Sequence, residues 1–181
     1  EMLMDPYQIR YCLEKAYILA VQGRPGPCWL DIPLDIQGAY VETEKLKGYT
    51  QPENCSSQTN LEHMLLQIAE LFCQAERPVI YAGNGIRIAH GAELLPKLVH
   101  QLQVPAVTCW DSIDLLANDD PCFCGRGGTM GDRAGNFAVQ NSDLLICIGS
   151  RLNIYQVGYN VKTWARAAKT VVVDIDPEEL K

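Results

Sequence analysis

This sequence predicts an α/β fold of the Rossmann-like kind, a parallel sheet with helices on both faces, and three observations carry that reading. Short, uninterrupted apolar runs recur at Pro78 to Ala82, Ala106 to Cys109, Leu144 to Ile148 and Thr170 to Ile175, as expected of strands buried on both faces. Helical stripes alternate with them: Leu61, Met64, Leu65, Ile68, Leu71 and Phe72 form one, and Leu94, Leu95, Leu98, Val99 and Leu102 another. Glycine-rich turns follow the strands, where an open sheet of this type receives its ligands.

From the start of the chain, Asp5-Pro6 supplies a cap and a first-turn proline for a helix that Gly23 ends in the position of a left-handed terminator. Ile9, Leu13, Ala16, Tyr17 and Ala20 share one face of it. Pro25, Pro27 and Pro33 then bracket a short apolar strand, Cys28 to Ile32, which needs a sheet to pair with. A helix and one strand are too little for a core, so residues 1–38 read as the tail of another domain. Apolar periodicity stops over residues 39–58, where Gly48, Pro52, Asn54, Ser56 and Ser57 suggest a linker.

The Rossmann-like domain is expected over residues 59–181, truncated at its C-terminus. Thr59 and Glu62 have the spacing of a capping box at its first helix. Pro96 limits how far upstream the second helix extends. A weaker strand is expected at Cys122 to Cys124, with both thiols on one face. Under the strand order 3-2-1-4-5-6, the sixth strand would follow Lys181 and lie at an edge.

Composition narrows the possible functions. The chain has 181 residues, 48% of them hydrophobic, and a net charge of −7, which leaves no basic surface for nucleic acid or an anionic membrane. No apolar run reaches the roughly 20 residues of a bilayer span, so a cytosolic location is the expectation. None of the eight cysteines forms a C-x-x-C, and reduced core thiols are the expected state. His63, His90 and His100 lack ligand spacing. No metal site and no catalytic residue is assigned.

The turns at the strand ends hold the candidate binding residues. Gly83 and Gly85 follow the first strand and would present bare amides to a phosphate or ribose, although Ile88 stands where a dinucleotide fingerprint needs its third glycine. The run from Gly125 to Gly131 contains Thr129 and Met130 beside four glycines, and Asp132 is placed to cap the helix after it. Ser150 and Arg151 follow the strongest strand, and that guanidinium suits a phosphate or carboxylate. Asp174 and Asp176 end the last strand; they can accept from ribose or adenine, or cap the turn at Pro177.

Several of these stretches resemble a known family. Gly-Arg-Pro-Gly-Pro at residues 23–27, a strand, and then Leu30-Asp31-Ile32-Pro33-x-Asp35-x-Gln37 resemble the end of the first domain of thiamine-diphosphate-dependent enzymes, with the nearest likeness to acetolactate synthase large subunits. The remainder resembles that family's central domain. In such enzymes the loop matching residues 125–131 runs along flavin adenine dinucleotide (FAD), and Gly149-Ser150-Arg151-Leu152 resembles another of the family's turns. Gly83-Asn84-Gly85 departs from the usual three glycines, and Cys109-Trp110-Asp111 is bulkier than usual. The resemblance therefore implies FAD or an ADP-like group on these turns.

The same resemblance places the glutamate that activates thiamine diphosphate, and the Gly-Asp-Gly motif that holds it through Mg2+, in N- and C-terminal domains outside this chain. Gly131-Asp132-Arg133 takes no part in that. The implied parent decarboxylates a 2-oxo acid, joins the remainder to a second carbonyl, and forms a homo-oligomer. This segment would be its scaffold, inactive alone. The alternatives are a freestanding nicotinamide-dependent oxidoreductase and a nonenzymatic adenine-nucleotide module.

Overall fold

The computed structural model describes residues 1–52 and 60–180, and the chain divides into two compact units, Glu1–Ser56 and Ser57–Lys181. In the first unit, the Asp5 carboxylate accepts the Tyr7 N–H at 3.0 Å ahead of a 3-10 turn, Pro6–Gln8, that runs into helix α1, Ile9–Val21. Gly23 follows the C-cap with φ +62°, the conformation in which an L side chain is strained. The expected apolar face is only partly covered. Cys12 is buried, whereas Leu13 and Tyr17 are 51% and 70% exposed.

Residues 28–32 do not form the expected strand. A single parallel bridge joins Met2 to Asp31: the Leu3 N–H donates to the Asp31 carbonyl at 2.8 Å, and the Asp31 N–H donates to the Glu1 carbonyl at 2.9 Å. The physical reason is the lack of a partner along the run: residues 28–32 all carry N–H groups, but Met2 supplies their one bridge among the described residues, and the flanking Pro25, Pro27 and Pro33 cannot donate to extend it. Helix α2, Leu34–Gln37, follows directly, and the Gln37 amide donates back to the Ile32 carbonyl at 2.7 Å. Within the expected linker, Tyr49 donates its N–H to Glu14 of α1 at 2.7 Å and sets its ring edge-on to Tyr11.

The second unit opens with α3, Leu61–Gln74; the capping-box residue Thr59 lies outside the described residues. The five strands β1 (Pro78–Ala82), β2 (Ala106–Thr108), β3 (Phe123–Arg126), β4 (Leu144–Ile148) and β5 (Lys169–Val173) form one all-parallel sheet in the order β3-β2-β1-β4-β5. Helices α4 (Gly85–Ile88), α5 (Leu94–Leu102), α6 (Arg133–Asn141) and α7 (Ile154–Val157) alternate with them.

Alternation along β1 explains why the run must be apolar throughout. Ile80 and Ala82 enter one core with Leu95, Val99 and Ala106, while Val79 and Tyr81 enter another with Val107, Val139 and Cys147. Pro96 sits in the first turn of α5, where its missing N–H leaves no helical bond broken. At the N-terminal ends of β1 and β4, the Asp143 carboxylate accepts the N–H groups of Glu76 and Arg77, each at 2.9 Å.

Cys122 and Cys124 do not share a face. Cys122 precedes β3 and packs with the first core, Cys124 packs with the second, and the β2–β3 register shifts between Ala106 and Thr108. The described cysteines are all free: Cys12, Cys109 and Cys147 are buried, whereas Cys28 and Cys73 are exposed. No helix among the described residues is long and apolar enough to cross a membrane.

Candidate functional site

The strand order reverses between β1 and β4, so the turns after these two strands flank the position where an open α/β sheet forms its crevice. Here those turns are in direct backbone contact. The Gly83 N–H donates to the Ile148 carbonyl and the Gly85 N–H to the Gly149 carbonyl, both at 2.9 Å. A Cβ on Gly85 would stand 2.6 Å from Gly149 Cα. The expectation that these two amides are open to a phosphate is corrected: the glycines let two turns touch, and the donors are satisfied within the chain.

The loop after β3 is braced rather than open. The Thr129 N–H donates to the Tyr155 carbonyl at 2.8 Å and its hydroxyl to the same oxygen at 3.2 Å, while the Gly131 N–H donates to the Gly128 carbonyl at 3.0 Å. Asn136 clamps Gly128 by accepting its N–H and donating to its carbonyl, each at 2.9 Å. Asp132 occupies the N-cap position of α6 but makes no capping bond. Its carboxylate instead accepts the Arg126 N–H at 2.9 Å and the Arg126 guanidinium at 3.1 Å, because the cationic partner is the stronger donor.

The remaining predicted residues also have partners within the chain. Ser150 is buried with its Oγ 3.1 Å from the Cys109 Sγ. Arg151 pairs with Glu179 at 2.8 Å. Asp174 accepts the Asp176 N–H at 2.9 Å, and Asp176 accepts the Glu178 N–H at 3.0 Å, capping the 3-10 turn Pro177–Leu180.

Among the described residues, a pocket of about 260 Å³ opens on this face, lined by Trp110, Gly127, Met130, Tyr155 and Gln156. Of the predicted contacts, only Met130 lines it. Trp110, at 58% exposure, begins the turn after β2, and Tyr155, at 62%, stands on α7. The Asn153 side chain caps that short helix by accepting the Tyr155 N–H at 2.9 Å. This cap is the one signal in the sequence that an element follows Arg151, but nothing there aims Tyr155 or Gln156 at a ligand.

Below the pocket, the buried Tyr81 hydroxyl donates to the Gln156 Oε1, and Tyr81 packs edge-on to Trp164 with ring centroids 6.1 Å apart. Gly127 lies flat over the Tyr81 ring, where a Cβ would come within 2.5 Å of Cε2. Burial pushes the Tyr81 hydroxyl far above its ordinary range and raises the Cys109 and Cys147 thiols to about 11 and about 12. These groups stay neutral at physiological pH. Two aromatic faces, a thioether and one amide suit the stacking and hydrogen bonding of a flat heterocycle. No carboxylate, histidine or lysine is among the residues that line this pocket.

The five-stranded parallel sheet, with helices around it and a pocket at its strand ends, defines an α/β domain of the doubly wound class. The family model for the central domain of thiamine pyrophosphate enzymes matches residues 65–181, and the chain belongs to that family. It is 32% identical over 98% of its length to a probable acetolactate synthase large subunit of Methanocaldococcus jannaschii. It is 33% identical over 93% to the acetolactate synthase isozyme 2 large subunit of Escherichia coli, and 36% over 99% to a probable chloroplastic acetolactate synthase 2 of Oryza sativa. The chain spans about 30% of the length of such relatives.

Proposed function

We propose that this chain serves as the scaffolding central domain of an acetolactate synthase-like enzyme, one that decarboxylates a 2-oxo acid and joins the remainder to a second carbonyl. The observation that supports this reading most is the family match over the whole five-stranded sheet, on a domain whose strand-end pocket lacks an acid–base pair. Thiamine diphosphate and Mg2+ would be held by other domains of the parent, which acts as a cytosolic homo-oligomer. The chemistry belongs to that cofactor, and domains such as this one fix its surroundings.

Calorimetric titration of the 181-residue chain with thiamine diphosphate and Mg2+ is expected to be flat. Saturable, Mg2+-dependent heat would mean that the chain carries a cofactor site of its own and would contradict the scaffold reading.

An adenine-containing ligand, ADP or FAD, fits the strand-end face as a secondary role. Trp110, Tyr155 and Met130 would stack its ring system, with Gln156 as the polar contact. Gly83, Gly85, Thr129, Gly131 and Ser150 would act indirectly, by bracing the strand-end turns through their own bonds. Arg151 would have to exchange Glu179 for a phosphate, and Asp174 and Asp176 would have to add ribose or adenine to the backbone groups they already bind. The pocket's volume accommodates one ring system rather than a whole dinucleotide.

A further inference from the structure

His100 on α5, Asp120 in the turn ahead of β3, and Cys122 at the entrance to that strand come from separate elements and converge. One ligand atom from each, the imidazole nitrogen, a carboxylate oxygen and the thiol sulfur, lies within 4.8 Å of the other two. His100 Nε2 is 2.9 Å from Asp120 Oδ2 and 3.1 Å from Oδ1. The Asp120 side chain is 8% exposed and is fixed in place, since its Oδ1 accepts the Cys122 N–H at 2.9 Å. The Cys122 thiol makes only a long contact, 3.7 Å, to the Val99 carbonyl. His100, at 47% side-chain exposure, leaves a path from solvent.

We infer that His100, Asp120 and Cys122 form a binding site for one divalent transition ion of the zinc type, with its fourth position open to water. The donor set decides the metal class. A thiolate and an imidazole beside one carboxylate suit borderline-soft Zn2+ or Co2+, whereas Mg2+ and Ca2+ demand oxygen ligands. Ordinary zinc–ligand lengths of about 2.0–2.3 Å put tetrahedral ligand atoms roughly 3.3–3.6 Å apart, so the His100 nitrogen and the Asp120 oxygen have to part by a few tenths of an ångström and the Cys122 sulfur has to draw in by up to about 1 Å. On binding, the thiol proton leaves to solvent and the metal takes its place on Cys122, while His100 coordinates as neutral imidazole. None of the three residues lines the strand-end pocket, so this site is separate from the nucleotide-type face. The spacing 100, 120, 122 matches no familiar finger or clip, and the grouping exists only in three dimensions.

The test is a titration of the reduced, chelator-stripped chain with Co2+, followed by displacement with Zn2+. One equivalent of Co2+ is expected to produce a thiolate-to-cobalt charge-transfer band that Zn2+ abolishes. Cys122→Ser should remove the band and weaken Zn2+ binding at least tenfold. His100→Gln, at an exposed position unconnected to the core, should weaken Zn2+ binding at least tenfold whether or not Cys122→Ser folds normally by circular dichroism. Substituting the exposed Cys28 and Cys73 with Ser should leave the band and the affinity unchanged. Absence of a band at one equivalent, a band that persists in folded Cys122→Ser, or undiminished Zn2+ affinity in His100→Gln would overturn the site and leave an ordinary His100–Asp120 hydrogen bond.

Discussion

Gly149→Ala is expected to lower the stability of the second unit by about 3 kcal/mol or more, a large part of the roughly 5–15 kcal/mol that holds a typical domain together. Two costs combine at this residue. Its φ of +57° strains any L side chain, at about 1–2 kcal/mol. Its Cβ would also stand 2.7 Å from Gly85 Cα and 2.8 Å from both Gly85 C and Ile86 N. Those are backbone atoms of the neighbouring turn and cannot rotate away, so the turns after β1 and β4 would have to separate at overpacking costs of about 1–3 kcal/mol. Denaturant unfolding of the wild-type chain and of Gly149→Ala measures the loss. A loss no larger than the roughly 1–2 kcal/mol of backbone strain alone would mean that the two turns do not press on each other.

Alkaline pH is expected to unfold the second unit through its buried thiols. Burial raises Cys109 to about 11 and Cys147 to about 12, from an ordinary value of 9.0, and it pushes Tyr81 upward as well. Below pH 9 both thiols hold their protons whether the chain is folded or unfolded, and stability is unaffected. Between pH 9 and 12 the unfolded chain releases protons that the folded chain retains, so the unfolded state binds fewer protons and stability falls as pH rises. A thiol pKa that differs by one between the folded and unfolded chain is worth about 1.4 kcal/mol, so the loss is on the order of 3 kcal/mol for Cys109 and 4 kcal/mol for Cys147 once pH passes their folded values. Denaturant midpoints taken at intervals from pH 8 to 11 should be flat at first and then fall. In Cys147→Ala, compared with its own value at pH 8, the fall should be shallower. An unchanged fall in that variant would assign the alkaline loss to other groups.

How much is legible in the sequence follows from what each element depends on. Pro78–Ala82 and Leu144–Ile148 coincide with the strands β1 and β4, because a strand buried on both faces must be apolar at every position. The run at residues 28–32 is not a strand, since composition does not show whether a neighbouring strand is there to pair with, and a single bridge from Met2 is what these residues find among those described. The glycine-rich turns are special, as their composition suggests, but for a reason internal to the chain. Gly83 and Gly85 permit a close approach by Gly149 and Ser150, and sequence cannot tell that need from an opening for phosphate.

Arg151, Asp174 and Asp176 carry the chemistry a nucleotide requires, yet each also has a local partner that sequence spacing alone does not exclude. Tyr155 and Gln156 are invisible as site residues in the sequence because they reach the pocket through a four-residue helix whose cap, Asn153, is legible but whose direction is not. His100 and Asp120 likewise meet across 20 positions of chain with no periodic signal.

The strand-end pocket is tested most directly by two-dimensional amide chemical-shift mapping of the 181-residue chain during titration with ADP and, separately, with FAD. Weak, saturable perturbations are expected, centred on Trp110, Gly127, Met130, Tyr155 and Gln156, and for both ligands a further change at Arg151 as its guanidinium exchanges Glu179 for phosphate. Shifts confined to residues away from the strand-end turns, or no shifts at millimolar nucleotide, would contradict a nucleotide-type groove on this domain.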